Sequence, residues 1–219
     1  MKVTALKAHP RNKSQVKVYL DGAFAFNLAK MVGARLRIGQ ELDAADLERL
    51  RNADAQEQAY ERALKFLAPR PRSEAEVRRR LRARQVEAEV VEAAIARLRR
   101  AGLVDDEAFA SYWVENRMTF RPKSKRVLLA ELKNKGVREA EVLAQAVSGA
   151  DDAEAAYRLA AKRASRMQGL AYADFCRRLG DFLARRGFDF EVIQPIVRRV
   201  WQETHATESG ADDGDVSDT

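Results

Sequence analysis

The side chains of this sequence that could do chemistry are mostly basic, and the usual catalytic types are scarce. Its two histidines, His9 and His205, lie near opposite ends of the chain, so we expect no histidine dyad or metal cluster. The sequence has no glycine-rich phosphate loop and no Walker pattern. Asp105, Asp106 and Glu107 could suggest a metal site, but acids at a helix start also complement the helix dipole, and we favour that interpretation. These observations favour a binding protein without a cofactor over an enzyme.

The basic residues cluster around one helical segment in each of three parts of the chain. Arginine suits bidentate contacts with phosphate or carboxylate, and recurring basic segments could form a stripe. The sequence therefore predicts an interface for nucleic acid or for an acidic protein. The predicted interface residues are Arg72, Arg78, Arg79, Arg82, Arg117, Arg121, Lys123, Lys125, Arg126, Lys133, Lys135, Arg177, Arg178, Arg185 and Arg186. The alternative is an ordinary solvated helix surface, because Glu74, Glu76 and Glu131 interrupt the basic faces.

Three aromatic residues, Tyr112, Trp113 and Phe120, accompany the second basic cluster. Aromatic rings beside arginines could stack on the bases of a single strand. More often such residues form the core of a small helical unit, and for Trp113 we favour the core, since large aromatic residues dominate such cores.

The charge of the chain is uneven along its length. The 219 residues include 40 Lys plus Arg and 33 Asp plus Glu, a net charge of +7. From Glu203 to the end there are six acidic residues and no Lys or Arg, so the remainder carries 27 acidic residues and a net charge of +13. A body this positive favours a polyanion as partner. A single cysteine, Cys176, excludes an internal disulfide, and no apolar run approaches the ~20 residues that a membrane requires, so we expect a cytoplasmic protein.

A repeat with a period of 51 residues organises the helices that must position these side chains. Each copy has two apolar residues four positions apart, then a further apolar residue and a second such pair. The first pairs are Val77 and Leu81, Leu128 and Leu132, and Leu179 and Leu183. This spacing predicts one helical unit used three times, with each pair in the core of its unit.

Residues 1–50 have a different pattern. Alternating apolar residues precede Asp21 and Gly22, and this combination predicts a hairpin because that dipeptide tolerates the positive φ angles of a tight turn. Residues 2–8 could add a third strand. We expect a linker or short helix from Asp43 onward, and a sheet this small should pack on a helix.

The predicted fold is therefore mainly α, with three tandem three-helix repeats of the helix-turn-helix kind in an elongated curved array. A small β-rich N-terminal module precedes them. The predicted boundaries are 1–50 for the β module, 54–104, 105–150 and 151–202 for the repeats, and 203–219 for an acidic disordered tail.

Several stretches together resemble the RecX family. They are residues 73–81 (SEAEVRRRL), 102–110 (GLVDDEAFA), 131–137 (ELKNKGV) and 182–188 (FLARRGF). The resemblance covers about 55–200, and the N-terminal module resembles the extension of longer members. The chain departs from the family pattern at two positions where glycine is usual, with Ser124 before the second anchor helix and Gln85 after the first. Because serine is a good N-cap, we expect the helix after Ser124 to form.

The resemblance implies a non-enzymatic regulator of the bacterial recombinase RecA. Such a protein would bind within or cap the groove of the RecA–single-stranded DNA filament and block its extension. It would thereby suppress ATP hydrolysis, strand exchange and coprotease activity, and so modulate recombinational DNA repair and the SOS response. The implied partners are RecA and single-stranded DNA, with double-stranded DNA as a further candidate, and the expected state is a monomer. The alternative is a helix-turn-helix transcription regulator, which would protect a defined site on duplex DNA.

Overall fold

This computed structural model describes residues 1–209, which form three strands and ten helices. The strands are β1 (Val3–Ala8), β2 (Gln15–Leu20) and β3 (Ala23–Ala29). The helices are α1 (Lys30–Gly33), α2 (Ala44–Leu67), α3 (Glu74–Arg82), α4 (Ala88–Arg100), α5 (Asp106–Phe120), α6 (Lys125–Lys135), α7 (Ala140–Ala146), α8 (Asp152–Ala164), α9 (Tyr172–Ala184) and α10 (Phe190–Ser209). One compact unit comprises residues 1–105, and a second begins at Asp106.

The N-terminal strands form an antiparallel sheet in the order β1-β2-β3. The turn between β2 and β3 is made by Asp21 and Gly22 with φ angles of 47° and 86°, which confirms the predicted hairpin. Val18 and Leu28 are buried on the face of the sheet that packs against Leu47 of α2. The small sheet is thus stabilised by a helix, as expected from its size.

Helix α2 connects the sheet to the first repeat without interruption. Its 24 residues begin after Asp43, whose carboxylate accepts a hydrogen bond from the Asp46 backbone N–H at 2.7 Å. The first part of α2 packs on the sheet, whereas Ala59 and Ala63 lie in the core of repeat one. The prediction of a linker or short helix here was wrong, and residues 51–53, between two predicted domains, lie inside a continuous helix.

The apolar anchor pairs have the predicted environment. All six side chains are fully buried, in the cores of three separate clusters. Helices α2–α4, α5–α7 and α8–α10 supply these clusters, so the repeat pattern correctly identified three three-helix units. Burial of a whole leucine contributes roughly 1.5–3 kcal/mol, and no short helix of a repeat would be stable without it.

The second helix of repeats one and two begins at a buried serine. The Ser73 hydroxyl accepts from the Glu76 N–H at 3.2 Å, and the Ser124 hydroxyl accepts from the Val127 N–H at 3.4 Å. The expected helix after Ser124 is therefore confirmed. Gln85 lies in the left-handed region with a φ of 58°, at the position where glycine is usual in the resemblance.

Repeats two and three meet where α6 begins. The Ser124 N–H donates to the Arg186 carbonyl at 3.2 Å, and Arg126 donates to the Gly187 carbonyl at 3.3 Å. Gly187 has a φ of 87°, and a Cβ there would lie 2.2 Å from Cγ2 of Val127. Only glycine satisfies both the backbone angle and the close approach at this position.

The last helix extends into the segment predicted to be disordered. Helix α10 continues to Ser209, and within it Glu203 accepts hydrogen bonds from the Tyr157 hydroxyl at 2.8 Å and from Arg199 at 2.7 Å. The predicted tail therefore starts too early, and its residues 210–219 lie outside the described residues. Within residues 1–209, no helix is both long enough and apolar enough to span a membrane.

Candidate nucleic-acid and partner interface

Many of the predicted interface residues form ion pairs within their own repeat. In repeat one, Arg78 binds Glu74 and Glu92 with N–O distances of 3.0 Å, and Arg82 lies 3.6 Å from Glu92. In repeat three, Arg177 lies 2.7 Å from Asp174. The Arg126–Asp189 pair joins repeat two to repeat three and is longer, at 3.7 Å, and both of its side chains are 69% exposed. These cations already have an internal carboxylate, which reduces their attraction for an external anion.

A carboxylate also organises the basic residues of repeat two, in what we call the Glu131 cluster (Glu131, Trp113, Arg117, Lys123 and Lys135). Glu131 Oε2 accepts from Trp113 Nε1 at 2.9 Å and from Arg117 Nε at 2.8 Å, and Oε1 accepts from Lys123 Nζ at 2.5 Å. Burial alone would raise the pKa of Glu131, but the hydrogen bonds from Lys123, Arg117 and Trp113 outweigh it and lower this pKa below its ordinary value.

Two cations of the same cluster lie over the Trp113 ring. Arg117 lies 4.5 Å and Lys135 4.8 Å from its centroid, and the ring packs against the core of repeat two. Trp113 is thus half-buried against the repeat-two core, which agrees with its interpretation as a core residue. Phe120 differs, because it is 74% exposed at the end of α5 and remains a candidate for base stacking.

Two further predicted cations lie over phenylalanine rings. The Arg72 guanidinium is 4.2 Å from the Phe66 centroid, and the Arg186 guanidinium is 3.8 Å from the Phe182 centroid. Burial, followed by repulsion from Arg185 and other cations, lowers the pKa of Arg186. Stacking on a ring holds each guanidinium in place while leaving several N–H donors for another acceptor.

The remaining predicted residues are the most available for a partner. Their side chains form no ion pair with a described residue. These remaining residues are Arg79, Arg121, Lys125, Lys133, Arg178 and Arg185. All except the half-exposed Lys125 are exposed, and at least one lies on or beside the second helix of each repeat. The predicted stripe is thus a mixture of internally paired and available cations.

A basic cleft in repeat one contains residues that the sequence reasoning missed. This cleft, which we call the repeat-one cleft, has a volume of about 530 Å³. Its lining consists of Arg62, Lys65, Phe66, Pro69, Arg72, Arg80, Leu81 and Arg84. Arg62, Lys65 and Arg80 were not among the candidates, because the first two lie on the preceding helix and only the packing of α2 on α3 brings them to Arg72.

The described part of the chain offers no arrangement of three or more His, Cys, Asp or Glu side chains that could hold a metal ion. Helix α5 begins at Asp106, so the acidic triplet considered above lies at a helix start. Asp106 and Glu107 occupy the first turn, where negative charge complements the helix dipole.

Taken together, three three-helix units, a small β module and basic helix surfaces define a helical repeat protein suited to binding. Comparison with known proteins identifies the class more closely. The family models for the first, second and third three-helix domains of RecX match residues 59–98, 105–144 and 150–197. The chain belongs to the RecX family of regulatory proteins.

Individual relatives agree with this assignment. The chain is 34% identical over 207 residues to "Regulatory protein RecX" of Levilactobacillus brevis, covering 89% of this chain and 74% of the relative. It is 35% identical over 165 residues to the protein of the same name from Streptomyces coelicolor, covering 74% and 87%. A solved structure, "Crystal structure of regulatory protein RecX", is 28% identical and superposes with a TM-score of 0.70 over 89% of this chain and 98% of the other.

Proposed function

We propose that this protein binds the RecA–single-stranded DNA filament in the cytoplasm and limits its extension. By doing so it lowers the ATPase, strand-exchange and coprotease activities of RecA and modulates recombinational DNA repair and the SOS response. It acts through binding and not as an enzyme. Family membership supports this proposal, and the name shared by the relatives describes a regulatory protein.

The structural observation that supports it most is the set of available cations on the second helices. Arg79 lies on α3, Lys133 on α6 and Arg178 on α9, and no described residue pairs with any of them. Cations that recur on equivalent helices can contact successive anionic groups of one polymer, which is the basis of salt-dependent binding to nucleic acid.

The decisive experiment measures RecA ATP hydrolysis on single-stranded DNA while the purified protein is added. We expect the rate to fall at or below an equimolar ratio to RecA. No fall at any ratio would refute the proposal. Footprinting on duplex genomic DNA provides the second arm, because a defined protected site would instead indicate a transcription regulator.

The interface itself is tested with Arg121→Glu/Lys133→Glu. These two side chains are exposed in repeat two and have no internal carboxylate among the described residues. The variant should bind single-stranded DNA more weakly, and the slope of log K against log salt should shrink by about 0.7 for each phosphate that the protein no longer neutralises. The matched control is Arg138→Glu/Arg166→Glu, which makes the same charge change at exposed positions outside the predicted interface. Equal slopes for the two variants would exclude Arg121 and Lys133 from the interface.

A further inference from the structure

The repeat-one cleft concentrates positive charge that its own surroundings do not neutralise. Five of its lining residues are basic, and none of the residues that line it is acidic. Among the described residues, only Arg72 of this lining has an ion pair, a long one of 3.9 Å to Glu76, whose carboxylate already binds Arg70 at 2.9 Å. Arg62 donates to the neutral amide oxygen of Gln58 at 3.2 Å. Like charges held this close destabilise the fold unless an anion joins them.

The 51-residue repeat shows which group is missing. Adding 51 to the numbers of Arg62, Arg72 and Arg84 gives the positions of Trp113, Lys123 and Lys135 in the Glu131 cluster. The same step relates Phe66 to Arg117. Both sites therefore hold an aromatic ring among cations. The cations Arg72 and Arg84 are equivalent to Lys123 and Lys135, whereas the rings, Phe66 and Trp113, come from different positions of the repeat.

The decisive difference lies at one position. Arg80 of the repeat-one cleft corresponds to Glu131, the carboxylate to which Arg117 and Lys123 are bound in repeat two. Repeat two thus contains its own anion, whereas repeat one has a further cation in the same place. The cleft has the aromatic support and the donors of an anion site, and apart from the long Arg72–Glu76 pair no carboxylate of the described residues joins its cations.

We propose that the repeat-one cleft binds a phosphate group of single-stranded DNA, which takes the place that the Glu131 carboxylate has in repeat two. Phosphate is the natural counterpart, because arginine guanidiniums bind its oxygens in bidentate fashion. The volume of about 530 Å³ also lies within the roughly 300–1,000 Å³ of small-molecule sites, which leaves room for the attached sugar or base.

Arg72 is the best-placed donor of the site. Its guanidinium lies over the Phe66 ring, 4.2 Å from the centroid, and Arg80 lies over the same ring at 5.5 Å. The Arg72 Nε is buried and has no hydrogen-bond partner among the described residues. Burial, followed by repulsion from Arg70, lowers the pKa of Arg72. A bound phosphate would offset both effects, because it neutralises the local charge.

This inference rests on the proposed function for the identity of the polymer, so the test uses DNA without RecA. Binding of the full chain to a labelled oligothymidylate is followed by fluorescence anisotropy over a range of salt concentrations. Arg80→Glu gives repeat one the carboxylate of repeat two. It should weaken binding about tenfold, as expected when one charge-assisted hydrogen bond is removed, and reduce the salt slope by about 0.7. Arg100→Glu is the matched control, since this exposed residue of α4 lies outside the cleft.

Equal slopes for Arg80→Glu and Arg100→Glu would overturn the inference. Thermal melting checks that Arg80→Glu folds, and Arg80→Gln, which removes the charge without reversing it, replaces it if it does not. Competition by ATP and by inorganic phosphate distinguishes the source of the phosphate. If either displaces the oligonucleotide as well as unlabelled DNA does at equal phosphate concentration, the site binds free phosphates and the assignment to DNA is wrong.

The RecA ATPase assay separates this inference from the proposed function. If the unmodified protein does not inhibit RecA while Arg80→Glu still weakens DNA binding, the proposed function fails and the cleft assignment stands. If Arg80→Glu retains DNA binding but no longer inhibits RecA, the cleft contacts an acidic protein surface and the phosphate assignment fails.

Discussion

Replacing Glu131 by glutamine should show how strongly one carboxylate stabilises repeat two. The Glu131→Gln change keeps the size of the side chain but removes the negative charge that Arg117, Lys123 and Trp113 share. Glutamine can still accept hydrogen bonds through its single carbonyl oxygen, but its amide NH2 group can only donate. It cannot neutralise two cations at once, so both are left partly desolvated without a counter-charge.

The size of the stability loss follows from the solvent exposure of Glu131 and of the two cations that it binds. The side chains of Glu131, Arg117 and Lys123 are 18%, 24% and 33% exposed, so water screens the pairs only in part. Removing one partner of a fully buried pair costs roughly 3–5 kcal/mol, and an exposed pair contributes about 0–1 kcal/mol. For this intermediate site we expect Glu131→Gln to lower the free energy of unfolding by about 1–3 kcal/mol.

The effect should depend on pH in a defined direction. The folded-state pKa of Glu131 is lowered from the ordinary value of 4.5, so the folded protein holds the carboxylate proton less tightly than the unfolded chain does. The contribution of the Glu131 carboxylate to the free energy of unfolding is therefore complete above about pH 4.5 and is lost as the pH falls through the folded-state pKa. The difference in the free energy of unfolding between the unmodified protein and Glu131→Gln should be constant near neutral pH and shrink in acid.

Urea denaturation followed by circular dichroism at neutral and acidic pH measures the loss in the free energy of unfolding and its dependence on pH. Glu115→Gln is the control, because Glu115 is exposed on α5 and forms no ion pair with a described residue. Equal stability of the two variants, or a Glu131→Gln deficit that does not change in acid, would refute this account of the cluster. The freed Arg117 and Lys123 should also raise the affinity for single-stranded DNA, which the anisotropy assay measures.

Two further sites test backbone positions by thermal or urea denaturation. Gly187→Ala should destabilise by about 2–4 kcal/mol, because the new Cβ would meet Val127 at 2.2 Å in addition to the positive φ. Gly169→Ala has the same kind of φ, 75°, but open space around it, and should cost only about 1 kcal/mol; equal destabilisation would contradict the close contact. Gln85→Gly should stabilise by about 0.5–1 kcal/mol, since glycine relieves the φ of 58°, whereas Gln85→Ala should give no gain; a gain with alanine would assign the effect to the side chain.

The repeat units could be predicted because their cause is local and periodic. Each anchor pair, such as Leu128 and Leu132, lies one helical turn apart on the buried face, and this spacing is visible in the sequence. The serine caps and the Asp21-Gly22 turn are also local signals. The continuity of α2 was not predicted, because the change of pattern after residue 50 suggested a boundary. No proline or glycine interrupts residues 44–67, so nothing in the chain ends the helix there.

The candidate interface was less predictable than the fold because charge pairing depends on side chains distant in sequence. Glu131 meets Arg117 from 14 residues away and Lys123 from eight. A basic residue in the sequence therefore does not reveal whether its charge is available or already neutralised. Arg78 and Arg79 are neighbours in α3, yet Arg78 binds two carboxylates while Arg79 forms no ion pair with a described residue.

The three repeats share their core but differ at one surface position, and this difference bears on their roles. The position is Arg80 in repeat one, Glu131 in repeat two and Phe182 in repeat three. In repeat two the carboxylate neutralises its neighbours, and in repeat three the ring is covered by Arg186, whose guanidinium lies 3.8 Å from its centroid. Because the anchors beneath are equivalent, a change at this position alters charge without altering the fold. At this position repeat one has a cation, repeat two a carboxylate and repeat three an uncharged ring, so we predict the contact with a DNA phosphate at Arg80.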